Sequence, residues 1–519
     1  MTYICLPGET GALSIYEAVQ IATSQAAADA LPDEKRHCIS VTQEDGIPVI
    51  ELEKDGVYQL DNTVAIPGPL MLRGNGATII NNQMTGFLLM GSHITLEDVN
   101  IQGGLVSVSI DSMGEKIEDI RLNRCRLEGY MLAGVLAGGS KSASECRGLS
   151  VTDCCFKAGA TKKENGDDNV MALDLILTAA CSTDVDVNRA VLDDVTIERC
   201  EVYGPSICNF MIVPGLSLNP QKTPMFDGCS ISNMRILNCK LRGSDDTAIA
   251  AQANYINNPN CFLENFDVIG CDVEFGLTGL SSSGGSPMTG SVSGIYQKNV
   301  RYLDNILTGK PDVGETRTAV GLSGGGINYG NTTCLNSWIE NVEVRGNRIF
   351  NCERGITVHG GYSMIDADAV AELSGNYAKD IYINNNTMTD VENCFIFYGL
   401  WIEGRRFDWN WGKHHTTQTW LPHPEDNSLI TMAAKNNYVE NLTCTDNHCK
   451  GFSYLLRAAG AVGRGHGYVE GNRMTEGIVF ENNTYEGGEN HIIVADTILE
   501  DWVADGGRNA VDKFIKENI

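Results

Sequence analysis

The chain has 519 residues, and its 38 Lys and Arg against 66 Asp and Glu give a formal net charge of −28. Nucleic acids and anionic membranes bind basic surfaces, so this balance argues against both as partners. No apolar run approaches the roughly 18 to 20 residues that cross a membrane. The opening MTYICLPGETGALS lacks the basic and apolar regions of a signal peptide.

Most of the 18 cysteines lie inside apolar stretches, where a thiol behaves as a small buried hydrophobe. They do not form the dense framework of a small secreted domain. We therefore expect a protein of the reducing cytoplasm.

Residues 1–40 are predicted to hold an N-terminal strand and a capping helix. The stretch from about Ala12 to Lys35 is rich in Ala and has apolar residues three and four positions apart, as in a helix. A helix at this place would cover the unpaired backbone of whatever sheet follows.

From residue 41 to 497 one phrase recurs, and we expect it to build a single domain. It consists of a short alternating strand, a Cys or Asn, a polar turn and a second apolar strand, as in VTIERCEVYG at Val195 and VEVRGNRIFN at Val342. Eleven such phrases follow one another. The recurring Cys or Asn is found at Cys125, Cys154, Cys200, Cys239, Cys271, Asn305, Asn347, Asn386, Asn447 and Asn483.

A strand that returns once per coil is typical of an all-β fold, the right-handed parallel β-helix, and the repeat resembles the pectin-lyase-like superfamily. We predict about 11 coils stacked about 4.8 Å apart, which places like residues in ladders. The Cys ladder is expected to be a small apolar column. The Asn ladder is expected to bond its amides from coil to coil.

The first candidate site lies in the segment NCKLRGSDDTAIA, from Asn238 to Ala250. It resembles the polygalacturonase family, whose motif joins NC to GDD and an apolar strand. The resemblance implies that Asp245 or Asp246 is the general acid and that the other helps to activate water. Ser244 stands where that family has Gly, and we do not carry over the pectin substrate.

A second acidic pair, Asp167 and Asp168, has the same local form two coils earlier. Stacking would place the pairs roughly 10 Å apart, near the 6.5–9.5 Å that separates the carboxyls of inverting glycosidases. The alternative is ordinary turn chemistry, because Glu353, Glu392 and Glu489 stand at the position of Asp245 in other coils.

The second candidate is an aromatic-rich insertion at residues 400–430, which holds four of the six Trp within 20 residues. Trp faces stack on sugar rings, and polar side chains among them bind hydroxyls, so the segment favours a ligand wall. It supplies the predicted substrate-binding residues Trp401, Arg405, Trp409, Trp411 and His415. The alternatives are a loop folded back on the solenoid and a subunit interface.

The same insertion supplies Glu403 and Asp408 as alternative carboxylates for acid/base work. His359, at the end of a coil strand, is a further candidate for substrate binding, although a lone His is more often structural. No phosphate loop, zinc motif or calcium loop is present. We therefore expect no cofactor and no metal.

The last segment, residues 498–519, is predicted to be a helical tail. For the whole chain we expect a glycoside hydrolase that cleaves an oligosaccharide with two carboxylates in a groove of the β-helix. A β-helix fructotransferase or polysaccharide lyase is one alternative, and a non-catalytic glycan-binding or tailspike-like protein is another. A homotrimer is expected only by analogy with other β-helices.

Overall fold

The computed structural model describes residues 1–7, 12–24, 26, 29–40, 46–162, 168–169, 172–219, 224–253, 259–286, 290–311, 317–327, 332–364, 370–403, 405–407, 418–420, 431–464, 467–475, 477–499, 503–512 and 514–517. Almost all the strands in these residues pair in parallel with the equivalent strand of the next coil. The chain is therefore an all-β parallel β-helix, as its repeat predicts.

Sheet 1 carries the first strand of each repeat. Its parallel stack runs Thr2–Cys5, Val49–Leu52, Leu70–Arg73, Ile94–Glu97, Lys116–Asn123, Glu145–Thr152, Val191–Glu198, Ser230–Leu237, Phe262–Ile269, Tyr296–Leu303, Trp338–Arg345, Tyr377–Asn384, Tyr438–Thr445, Ile478–Glu481 and Phe514–Glu517. Short strands at its margins are Ile39–Ser40, Arg473–Met474 and Ala510–Val511. Four strands, the first three and the last of the stack, extend the eleven predicted coils.

Sheets 2 and 3 follow in each coil. Sheet 2 holds Val57–Leu60, Thr78–Asn81, Asn100–Gln102, Arg126–Glu128, Cys155–Lys157, Glu201–Tyr203, Lys240–Leu241, Asp272–Phe275 and Ile306–Gly309. Sheet 3 holds Val64–Ile66, Thr85–Leu89, Val106–Ile110, Ala133–Gly139, Leu173–Ser182, Ser206–Ser217, Ser244–Gln252, Thr278–Ser283 and Thr318–Ile327. In the last coils one long strand crosses both sheets: Arg348–Met364, Thr387–Glu403, His448–Arg464 and Thr484–Leu499.

The remaining strands form smaller sheets. Sheet 4 holds Gly290–Ser293, Thr332–Leu335, Val370–Ser374, Thr431–Lys435, Gly467–Glu470 and Val503–Asp505. Three strand pairs lie outside these stacks: Thr161–Lys162 with Asp168–Asn169, Val187–Asn188 with Phe226–Asp227, and Arg405–Phe407 with Gln418–Trp420. One apolar core runs inside the solenoid along its length.

The predicted ladder of Cys and Asn residues, which we call the first ladder, lies at the turn between sheets 1 and 2. Its amides bond from Asn305 to Asn483 at 2.9–3.0 Å. Each ladder residue follows a residue in the left-handed conformation, such as Arg124 before Cys125 (φ 53°). The thiols are more than the predicted apolar column, because each also donates to a carbonyl of the preceding coil, as Cys154 Sγ does to Leu122 at 3.5 Å.

A second ladder lies where each coil enters sheet 1, and sequence analysis missed it. Its members are Cys229, Cys261, Ile295, Ser337, Asn376, Asn437, Asn472 and Asn509. The Asn members bond from coil to coil at 2.9–3.1 Å. Ile295 and Ser337 interrupt its change from Cys to Asn, which makes the position harder to recognise in the sequence than the first ladder.

The two ends differ from each other. The N-terminal helix Ile15–Thr23 starts at a capping box formed by Ser14 and Glu17 and buries its apolar face against the first coils. Helical residues recur at Ala26 and Asp29, and only the end of the predicted helix is instead a 3₁₀ helix, Asp33–Cys38, after Pro32.

The predicted helical tail at 498–519 is wrong for the residues that the structure describes there. They end one long strand and then form Val503–Asp505, Ala510–Val511 and Phe514–Glu517. Asn509 bonds to Asn472 and continues the second ladder, so pairing with the preceding coil outweighs local helical preference.

The outer surface of sheet 1 carries an aromatic strip, formed by Phe262, Tyr296, Trp338, Tyr377 and Tyr438. Neighbouring rings lie 4.7–5.8 Å apart between centroids and within 11° of parallel. All 18 cysteines are free thiols. Among the described residues no helix is long and apolar enough to cross a membrane.

Candidate functional site

The outer surface of sheet 3 changes character along the solenoid. Its outward residues are small over three coils, with Ala250, Ser281 and Gly321 side by side in register. On either side, bulky outward residues pack into separate apolar clusters, such as Met211 before this strip and Ile396 after it. The small-residue strip therefore lies between two apolar patches of bulkier side chains.

Asp245 and Asp246 stand at the start of the strand that enters this strip. The register between strands Ser206–Ser217 and Ser244–Gln252 shifts at this point, so the two acids lie on a β-bulge opposite Ile207. Bulges re-aim side chains and are frequent beside active sites. Gly243 makes the turn possible: its φ is 86°, and a Cβ there would lie 1.8 Å from the Gly204 carbonyl oxygen.

Charged side chains continue along this edge of sheet 3. Lys310 Nζ donates to the Ser244 carbonyl at 2.6 Å and lies 3.5 Å from Asp245 Oδ1. Arg317 donates to the Lys310 carbonyl and pairs with Glu353 at 2.8 Å. The side chains of all four charged residues are at most 22% exposed, so these contacts are shielded from water.

The pairing with Glu353 raises the pKa of the Arg317 guanidinium above its ordinary value. Ordinary turn chemistry is the alternative that the sequence offers for Glu353. In the structure it also binds the Arg317 backbone N–H at 2.6 Å and orients a cation toward the neighbouring coil.

Asp174 is a carboxyl that sequence analysis missed. It lies on sheet 3 and is fully buried. Its oxygens accept from the Tyr130 hydroxyl and from Asn209 Nδ2, the latter at 3.1 Å, and the Ser206 side chain also binds it. Burial raises the pKa of Asp174 to about 6, against the opposing effect of these hydrogen bonds. The sequence does carry a sign of this buried carboxyl, because Asp174 is the one charged residue inside the apolar run ALDLILTAAC.

The predicted stacking of Asp168 two coils before Asp245 is wrong. Asp168 pairs with Lys162 in an antiparallel two-stranded sheet outside the solenoid stack. The intervening KAGATKKENG insertion moves it out of the repeat. The side chain of Asp168 lies outside the described residues, and its predicted catalytic role stays untested.

His359 and Trp401 lie together, on the outer surface just beyond the small-residue strip. Their ring centroids are 5.0 Å apart, and the rings of Tyr362 and Tyr398 complete the cluster. The Arg354 guanidinium lies 4.2 Å over the Trp401 ring. His359 is 4% exposed and Trp401 is 7% exposed, so in this arrangement each covers the other.

Burial, together with the positive charge of Arg354, lowers the pKa of His359 to about 3. Its Nδ1 atom has no hydrogen-bond partner in the part of the chain that the structure describes. The predicted role of His359 and Trp401 in substrate binding remains a prediction, and the structure adds that both belong to one aromatic cluster at the edge of the strip.

The rest of the aromatic insertion begins as a strand pair. Glu403 ends a strand of sheet 3, and Arg405 starts Arg405–Phe407, which pairs antiparallel with Gln418–Trp420. The side chains of Glu403 and Arg405 lie outside the described residues, as do Asp408, Trp409, Trp411 and His415 altogether.

No protein family profile matches the sequence, and no curated protein matches it either. Solved structures do match, at low similarity. The catalytic unit of a GH87 α-1,3-glucanase from Streptomyces thermodiastaticus is 10% identical, with a TM-score of 0.25 over 88% of this chain. The chain spans 64% of the length of that catalytic unit.

Two further matches have other activities. PfbA, a surface adhesin of Streptococcus pneumoniae, is 10% identical over 79% of this chain and 84% of its own, with a TM-score of 0.29. The A-module of the mannuronan C-5 epimerase AlgE6 from Azotobacter vinelandii is 12% identical over 93% and 97%, with a TM-score of 0.18. The sheets and ladders described above define the chain as a parallel β-helix. The reaction must be argued from its side chains.

Proposed function

We propose that this β-helix is a carbohydrate-active enzyme, a glycoside hydrolase that binds an oligosaccharide along the small-residue strip. The observation that carries the proposal is the pair of partly exposed carboxyls, Asp245 and Asp246, on a β-bulge at the edge of that strip. Small side chains along the strip leave room for sugar rings above them, while the bulky side chains of the two flanking patches limit the length of the strip.

The chemistry follows from two carboxyls in different surroundings. Lys310 gives Asp245 a countercharge at 3.5 Å, so we assign Asp245 to taking the proton of the attacking water. We assign Asp246 to donating a proton to the glycosidic oxygen. The bond from that oxygen to the anomeric carbon breaks, and the water oxygen bonds to the same carbon.

The test is a screen of plant and host oligosaccharides in which product mass is measured. Hydrolysis adds the mass of one water to the summed products. Asp245→Asn and Asp246→Asn should each lower kcat by about 10²- to 10⁴-fold. Asp267→Asn is the matched control, because Asp267 pairs with Arg301 on the outer surface of sheet 1, and it should retain wild-type turnover.

Undiminished turnover in the Asp245→Asn/Asp246→Asn double variant would refute the assignment. A chain that is stabilised by an oligosaccharide but releases no product is a glycan-binding protein, and that outcome would refute an enzymatic role.

A polysaccharide lyase is the second candidate, favoured by the two cations Lys310 and Arg317 at the same edge. A lyase requires a base, and the Lys310 ammonium already donates to the Ser244 carbonyl. We therefore rank hydrolysis first. Elimination leaves an unsaturated product that absorbs in the near ultraviolet, and Lys310→Met should then abolish its formation.

A further inference from the structure

A buried polar network crosses three coils beneath the edge where Asp245 and Asp246 lie. It starts at Tyr130, passes through Asp174 and reaches Ser206 and Asn209 on the next strand of sheet 3. All four residues are buried. A buried carboxyl is costly unless it is hydrogen-bonded, so these hydrogen bonds are what makes the burial of Asp174 tolerable.

The network ends on the turn that carries the two proposed catalytic acids. Asn209 Nδ2 lies 3.1 Å from Asp174 Oδ2, 3.0 Å from Ser206 Oγ and 3.3 Å from the Arg242 carbonyl. In the same strand, the Ser206 backbone N–H donates to the Gly243 carbonyl at 3.2 Å. The strand that holds Ser206 and Asn209 therefore donates to two consecutive carbonyls just before the bulge, those of Arg242 and Gly243.

The orientation of the Asn209 side chain depends on Asp174. The amide nitrogen makes the three contacts just described, whereas the Oδ1 atom has no hydrogen-bond partner among the described residues. An amide with an unsatisfied oxygen would gain by turning over, unless acceptors on the nitrogen side oppose it. The Asp174 carboxylate is the charged acceptor on that side, and charged acceptors form the stronger hydrogen bonds.

We propose that Asp174 is a positioning residue for the proposed reaction: through Asn209 and Ser206 it sets the place of the turn that presents Asp245 and Asp246 to the substrate. It does not touch the substrate, since it is fully buried. The expected effect on kcat rests on the proposed function. The expected effect of Asp174 on the geometry of the turn does not depend on that function.

The proposal includes a dependence on pH. The titratable groups around Asp174 are Tyr130, Cys208 and, beyond Cys208, Asp246. When Asp174 takes up a proton, one of its oxygens becomes a donor and the hold on Asn209 weakens. Because the pKa of Asp174 is about 6, kcat should show an extra decrease as pH falls through about 6.

The experiment compares wild-type protein with Asp174→Asn. The new amide would point a donor at Asn209, so we expect kcat to fall about 10- to 100-fold, with KM within twofold, and the decrease near pH 6 to disappear. Tyr302→Phe is the control, because it removes a different buried hydrogen bond, 2.6 Å to Ser282, and leaves the turn alone. It should retain wild-type kcat and pH profile.

Crystal structures of wild type and Asp174→Asn supply a readout that requires no substrate. The Asp245 Oδ1 to Lys310 Nζ distance, 3.5 Å here, should lengthen in the variant. Should Asp174→Asn fail to fold, Tyr130→Phe keeps the carboxyl and removes one donor, and a smaller loss of kcat is expected.

The two proposals fail in different ways. If the Asp245→Asn/Asp246→Asn double variant is inactive but Asp174→Asn keeps the wild-type pH profile and turn geometry, the positioning role is refuted. If no oligosaccharide is turned over, the hydrolase fails and the turn geometry in Asp174→Asn alone decides the positioning role.

Discussion

The half of the solenoid lined by thiols and the half lined by amides share one backbone. In the first ladder, Cys154 Sγ donates to the Leu122 carbonyl at 3.5 Å, and Asn347 Nδ2 donates to the equivalent Tyr302 carbonyl at 2.8 Å. The amide does more, because Asn347 also bonds to the Asn386 side chain at 2.9 Å and through its backbone N–H at 3.0 Å.

The same backbone position can therefore hold either a thiol or an amide. The two differ in how much of their stabilising contribution comes from contacts with the next coil. A thiol is a small hydrophobe with a weak donor, so its contribution comes mainly from packing. An amide forms hydrogen bonds with the coils on both sides, so removing it leaves buried groups without partners. We therefore expect the amide half to depend more strongly on each ladder residue.

The largest expected effect is the loss of one amide from the middle of the ladder. Asn386→Ala leaves the Val344 carbonyl, the Asn347 amide and the Asn447 oxygen with fewer partners. At 1–3 kcal/mol for a buried unsatisfied group, the free energy of unfolding should fall by about 4 kcal/mol. Cys200→Ala should cost only about 1 kcal/mol. Urea unfolding measures both, and equal losses would contradict the comparison.

The second prediction compares how the stability of each half changes with pH. His359, in the amide half, has a pKa of about 3 in the fold and about 6.5 when unfolded. The unfolded chain therefore binds the extra proton between these values, and the amide half should lose about 3 kcal/mol between pH 6.5 and 4.

Protonation of Asp174, in the thiol half, changes the free energy of unfolding in the opposite direction. Its pKa is about 6 in the fold and about 3.9 when unfolded, so the folded chain binds the extra proton and this half gains up to about 3 kcal/mol as pH falls through that window. Hydrogen exchange at pH 7 and pH 4.5 checks both. His359→Phe should remove the acid loss in the amide half, and an unchanged pH response in that variant would exclude His359 as its cause.

A smaller effect is expected at the boundary between the halves. Asn305 accepts from the backbone N–H of Cys271 at 2.9 Å, a contact that a thiol makes elsewhere, from Cys125 to Cys154 at 3.4 Å. Asn305→Cys should therefore cost about 1 kcal/mol, and Asn386→Cys, with amides on both sides, about 2–3 kcal/mol. Urea unfolding of the two variants compares them, and a costlier Asn305→Cys would contradict the equivalence.

The smallest effect concerns an outer position. Asn299 is in the left-handed conformation (φ 57°) and bonds to Asn265 on the surface of sheet 1. Asn299→Ala should cost about 1 kcal/mol, because Ala lacks the short polar side chain with which Asn tolerates that conformation. Asn299→Gly should cost less than about 0.5 kcal/mol. If both variants lose the same stability on heating, the surface hydrogen bonds matter and the backbone does not.

The fold was predictable because the first ladder repeats one of two residue types at a constant place in ten of the eleven phrases. The second ladder changes from Cys261 to Ile295, Ser337 and Asn376, so only strand pairing reveals it. The C-terminal residues show the same limit, since their local spacing is helical but the preceding coil offers them a sheet edge.

The candidate site was predictable only in part. The acidic pair Asp245 and Asp246 stands out beside a ladder Cys, but its neighbours Lys310 and Arg317 arrive from later coils through inserted turns. Asp174 is hidden in an apolar strand, and its partner Tyr130 is 44 residues away in sequence. Contacts of that kind are set by the stacking of the coils.

The aromatic strip has an optical consequence. Trp338 lies between Tyr296 and Tyr377, with ring centroids 4.7 and 5.8 Å away. Light absorbed by either phenol is passed to the indole at such separations, so the excitation of Tyr296 and Tyr377 contributes to the fluorescence of Trp338. Separation of these coils ends the transfer, which makes this residue a built-in reporter of unwinding in the amide half of the molecule.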